Sequence, residues 1–135
     1  SYSMLNKYDI GSRVVFEIVE SESIENFDAV SHFISRIKSF GCKIAIDDFG
    51  TGYSNFVYLM KLNADYIKID GSLIKEINTN EQAQIVVSTI VDFAKKMGIK
   101  TIAEFVENEA ILNKIIELDI DYSQGYFFSE PKIDI

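Results

Sequence analysis

The feature that most constrains this chain is a repeated alternation. Short runs of β-branched residues are followed, again and again, by longer stretches whose apolar residues keep helical spacing. Val14-Val15-Phe16-Glu17-Ile18-Val19 reads as a strand; Ile24, Phe27, Val30, Phe33, Ile34, Ile37 and Phe40 then hold the period of a helix that Gly41 closes. Residues 43–47 predict a second strand, and residues 54–60 a short helix capped by Ser54. A third strand is predicted over 66–70, a long helix over 81–97 ended by Gly98, and a fourth strand over 99–104. Asn108 caps a further predicted helix over 108–118, and a last strand falls near 124–128, ahead of Pro131. The opening residues read as the tail of a helix that precedes the first strand.

Strands separated by helices pair in parallel through right-handed crossovers. The pattern predicts an α/β fold of about five βα units, either an open doubly wound sheet or part of a (β/α) barrel. No Gly-x-Gly-x-x-Gly or Gly-Lys-Ser/Thr loop follows any predicted strand, so the nucleotide-fold alternative lacks its usual marker.

Nearly every predicted strand ends in acid. The first carries Glu17 and Glu20, the second Asp47 and Asp48, the third Asp70, and the fourth Glu104 followed by Glu107. In parallel α/β folds the carboxyl ends of strands line the ligand site. One such acid can be a helix cap, but several on one rim repel each other unless a cation neutralises them. The lone Cys42 excludes a disulfide framework and a multi-cysteine zinc site and fits a reducing, cytoplasmic compartment; the single His32 has no partner histidine and reads as an ordinary helix residue. Metal chemistry would therefore rest on carboxylates, which favour hard ions such as magnesium, manganese or calcium. A formal charge of −8 argues against a nucleic-acid duplex as partner. No apolar run reaches the roughly 18 residues of a membrane span, and the N-terminus has no signal-peptide pattern.

Lys68 sits between Ile67 and Ile69 in a run that reads as buried, on the same face as Asp70. Such a lysine must be paired. A salt bridge to a strand-end acid and a positive group aimed at a phosphate or an activated water stand equally open. The loop 47–55 is the densest motif: two adjacent aspartates can share one site, and Gly50 and Gly52 allow close backbone approach. Its Asp48-Phe49-Gly50 also matches the metal loop of protein kinases, but no His-Arg-Asp accompanies it, and that reading is rejected.

Five segments together resemble one family. Phe-Glu-Ile-Val-Glu-Ser (16–21), Ile-Asp-Asp-Phe-Gly-Thr-Gly-Tyr-Ser-Asn (46–55), Asp-Tyr-Ile-Lys-Ile-Asp (65–70), Ala-Glu-Phe-Val-Glu (103–107) and Gln-Gly-Tyr-Phe-Phe-Ser-Glu-Pro (124–131) are similar, in order and spacing, to motifs of the EAL domain. That resemblance implies a TIM-like barrel and metal-dependent hydrolysis of cyclic di-GMP to linear pGpG. It implies Glu17, Asp47, Asp48 and Glu104 as ligands of Mg2+ or Mn2+ at a two-metal site, with Asp47 bridging. Lys68, with Glu104, is implied in catalysis, orienting and polarising the attacking water. Glu20 corresponds to the glutamate that braces the loop after Asp48; Asp70, Glu107 and Gln124 correspond to residues around metal, water and substrate.

The Glu-x-Leu motif that names the family is absent from this sequence, as is the metal-binding asparagine of the next strand. The expectation is a C-terminal portion of an EAL domain, inactive alone, within a parent that hydrolyses cyclic di-GMP. The alternative is a degenerate domain serving as a cyclic di-GMP receptor or protein-interaction module. Sensor or GGDEF domains and a membrane anchor are possible elsewhere in such a parent. Five strands taken from a barrel would also leave bare edges at 14–19 and 124–128 and an open inner face, which predicts a homo-oligomer.

Overall fold

A computed structural model describes residues 6–10, 13–50, 56–124 and 133–134 of the 135-residue chain. The described residues form a sheet whose strands follow chain order. These are β1 (Asn6–Ile10), β2 (Arg13–Val19), β3 (Lys43–Phe49), β4 (Tyr66–Ile69), β5 (Lys100–Ala103), β6 (Tyr122–Gln124) and β7 (Ile133–Asp134). β2 to β6 are parallel, each joined to the next through helix. The intervening helices are α1 (Glu20–Glu25), α2 (Phe27–Lys38), α3 (Phe56–Leu62), α4 (Gly71–Lys75), α5 (Glu81–Met97) and α6 (Glu109–Glu117). The five parallel strands with their helices make an α/β fold, part of a barrel.

Two expectations at the sheet's margins are corrected. Asn6–Ile10 is a strand rather than the tail of a helix, antiparallel to β2 with Lys7 opposite Phe16 and Asp9 opposite Val14. Its polar sequence hides a pairing made by backbone groups, which carry no side-chain signature. β7 likewise lies antiparallel on β6, Ser123 opposite Asp134. The parallel strands at both margins are thus paired; residues 125–128 of the expected last strand lie outside the described ones. Nor is the inner face bare, since Val15, Ala45 and Ile102 on it are fully buried.

Helix boundaries follow local chemistry. The expected helix over 24–40 is two helices, because Asn26 takes a non-helical conformation between α1 and α2. Past α2, Gly41 adopts φ 84° and lets the Cys42 N–H return to Ile37 O at 3.3 Å. Asn80 and Asn108 cap α5 and α6 through their side-chain oxygens, and Gly98 ends α5 in the left-handed region. The expected cap of α3, Ser54, lies outside the described residues.

In parallel pairs, partnered residues share a face and the face alternates along each strand. Ile18, Ile44, Ile46, Ile67 and Ile69 therefore point one way, into a core built with Val30 and Ile34 of α2, Leu59 of α3 and Val87 and Ile90 of α5. Glu17, Lys68 and Ile102 point the other way. At the amino ends of the strands the acids are structural: Asp65 Oδ2 accepts from Ile44 N, and Asp121 Oδ2 from Thr101 N, each at 2.9 Å.

Candidate metal centre

In β3 and just after β5 the backbone departs from regular strand where acids stand. In β3 the register steps from Ile46 opposite Ile67 to Phe49 opposite Ile69, so Asp47 and Asp48 together oppose the single Lys68. Asp48 takes φ 55°. This β-bulge overrides strand alternation, which would send adjacent side chains to opposite faces, and aims both carboxylates at one point. After β5, Phe105 takes φ 56°, and Val106 N then donates to Gln124 O at 3.0 Å.

Single carboxylate oxygens of Asp47, Asp48 and Glu104 lie within 4.8 Å of one another. Glu104 is buried, and its Oε1 has no hydrogen-bond partner among the described residues. Burial, with the charge of Asp47, pushes the Glu104 carboxyl up to about 8. The Asp48 carboxyl is also raised, by burial and then by the charges of Asp47 and Asp70. A buried oxygen without a proton donor, beside two more carboxylates, is unfavourable in protein alone. A hard divalent cation satisfies all of it, so the donor set fits one.

Among the described residues Lys68, 3% exposed, supplies the positive charge at the site. Its Nζ is 3.1 Å from Glu17 Oε1 and 3.7 Å from Glu104 Oε2. Glu17 lies outside the three-carboxylate group, held by Lys68. Burial raises its carboxyl against the pull of that ammonium. Glu20 Oε1 accepts from Gly50 N at 3.4 Å, tying the start of α1 to the turn after Asp48. Asp70 caps α4, accepting from Ser72 N at 2.9 Å and from the Ser72 hydroxyl. Gln124 ends β6 beside the Glu104 segment, and Glu107 stands exposed. Every strand-end residue singled out in the sequence thus falls on one rim. Phe105 and Lys75 had no sequence signal beyond their nearness to acids. With Asp70, Gly71, Ser72 and Glu107 they wall an open depression of about 390 Å³.

The EAL domain family model matches residues 3–131, and the chain belongs to that family. It is 45% identical over 119 residues to cyclic di-GMP phosphodiesterase PdeA of Borreliella burgdorferi, covering 88% of this chain and 18% of that protein. The structure is similar to a PaMucR phosphodiesterase–c-di-GMP complex, with TM-score 0.82 and 34% identity over 87% of this chain and 47% of that one. It is also similar to Klebsiella pneumoniae BlrP1 in a manganese and cyclic di-GMP complex, with TM-score 0.81 and 33% identity over 88% of this chain and 30% of that one. The chain thus spans less than half the length of each of these relatives. Among the described residues no helix is long and apolar enough to cross a membrane.

Proposed function

We propose that the protein carrying this chain hydrolyses cyclic di-GMP to linear pGpG, and that this chain is the C-terminal portion of its EAL domain. The observation that carries the reading is the convergence of Asp47, Asp48 and Glu104 within 4.8 Å beside the buried ammonium of Lys68. Asp47, Asp48 and Glu104 would hold Mg2+ or Mn2+ on this chain, with Glu17, now paired to Lys68, as a further ligand, and segments outside it would complete the two-metal site. Bound there, such cations activate water near neutral pH and neutralise charge on a phosphodiester.

The chain's own residues do the rest. Lys68 donates hydrogen bonds toward the water oxygen that attacks phosphorus, orienting it and opposing the charge that develops. Glu17 and Glu104 hold that ammonium in place. Water oxygen bonds to phosphorus as one ribose P–O bond breaks; the water gives up a proton to solvent and the departing ribose oxygen takes one from it. Glu20 holds the turn after Asp48 through Gly50 N, fixing where the aspartate pair points. Asp70, Glu107 and Gln124 line the approach to the substrate.

The intact protein should convert cyclic di-GMP with manganese to pGpG, read by chromatography, while the 135-residue chain alone should not. Binding without product by the intact protein would assign it instead as a receptor for the dinucleotide. Light scattering on the purified 135-residue chain tests the accompanying proposal that this chain forms a homo-oligomer.

A further inference from the structure

Phe105 combines three properties that packing alone does not explain. It follows Glu104 directly, it takes φ 56°, a conformation bulky residues seldom adopt, and it leaves its side chain 55% exposed. Its ring rests against Gly71, where a Cβ would collide with ring atoms Cδ2 and Cγ. The ring is thus backed on one side by bare backbone and open on the other to the depression of about 390 Å³. Asp70, on the wall of that depression, acts electrostatically on Asp48, so the depression adjoins the carboxylate group.

We infer that Phe105 is the stacking floor for one guanine base of the substrate, an inference that rests on the hydrolysis of cyclic di-GMP proposed above. A flat ring supported from behind and open in front suits a nucleobase, since every base has a π-face to lay on it. The remaining walls decide between base and phosphate. Asp70 and Glu107 are acceptors that repel a phosphate, whereas the edge of guanine presents N–H donors to them. Among the described residues Lys75 is the cation on that wall, a single charge against two. Phe105 then sets which dinucleotide is held, while Glu104, one residue earlier, stays with the reacting phosphodiester. The left-handed backbone at Phe105 is what turns these two adjacent side chains to different tasks.

The test uses the intact protein with manganese and a cyclic di-GMP analogue in which 2-aminopurine replaces one guanine, because stacking quenches its fluorescence. Wild type should bind and quench. Phe105→Gly, whose backbone adopts φ 56° freely, should bind about tenfold more weakly or worse. It should lose the quenching and raise KM for cyclic di-GMP by a similar factor, more than it lowers kcat. Phe105→Leu keeps apolar bulk on Gly71 without a π-face and should fail in the same way, and Phe105→Tyr should restore both readouts. Unaltered quenching in Phe105→Leu, or a loss confined to kcat, overturns the inference. Quenching without pGpG from wild type would sustain stacking and overturn hydrolysis. Product from wild type without any quenching would do the reverse, and a protein that neither binds nor turns over the dinucleotide overturns both.

Discussion

Lys68 Nζ lies 3.1 Å from Glu17 Oε1 and 3.7 Å from Glu104 Oε2, and all three residues are buried. One cation therefore serves two carboxylates that have little water around them.

Removing it should cost stability as well as chemistry. Lys68→Met leaves Glu17 buried without its partner, and breaking a buried pair in this way costs about 3–5 kcal/mol. Glu17→Gln in the same chain should recover most of that loss, a coupling that urea unfolding of the four variants measures. Turnover of cyclic di-GMP by Lys68→Met should fall roughly 10²-fold or more. Full turnover in a folded Lys68→Met protein would remove Lys68 from the reaction.

The raised Glu104 carboxyl gives a pH dependence. Its ordinary value is 4.5, and in the fold it is held near 8, so between these values the folded state binds the proton and the unfolded state does not. That contribution to stability is complete below about 4.5 and is lost as pH rises through about 8. A divalent cation takes the proton's place, so its benefit grows over the same window. Melting temperatures in chelator and in manganese should diverge from pH 5 to pH 8.5. Parallel curves would show that Glu104 does not meet the cation.

The bulge at Asp48 separates charge from conformation. Asn tolerates φ 55°, so Asp48→Asn should fold normally and bind manganese at least tenfold more weakly. A β-branched residue does not suit that conformation, and Asp48→Val should lose about 1–3 kcal/mol in addition. Calorimetric titration with manganese, paired with thermal unfolding, distinguishes the two. Equal stability of both variants would mean that the left-handed turn is not required.

Gly71 and Phe105 should couple. Gly71→Ala drives a methyl group into the Phe105 ring, and because that ring is half exposed it can swing aside at a cost of about 1–2 kcal/mol. In a Phe105→Gly background the same change should cost close to nothing. Additive effects in the unfolding free energies would show that the two residues do not meet.

How much of this was legible beforehand differs by residue. Asn108, Gly98 and the strand around Ile67 and Ile69 announce themselves, since caps, left-handed glycines and β-branched runs are local preferences written in short sequence. The order of acids at strand ends was equally readable, because parallel strands must all deliver their carboxyl ends to one rim. Strand Asn6–Ile10 was not, since its pairing to Arg13–Val19 is made by backbone groups that look alike in every residue. Asn26 likewise hid a break inside what spacing alone read as one helix.

The sequence by itself determined the α/β alternation and which acids reach the rim, because both depend on periodicity. Tertiary structure decided what those acids do to one another. Only the bulge brings Asp47 and Asp48 to a common point, only the depth of the sheet strips water from Glu104, and only the alignment of parallel strands brings Lys68 to both Glu17 and Glu104. Charge, burial and distance act through space, and residues far apart in the chain acquire them together when the strands align.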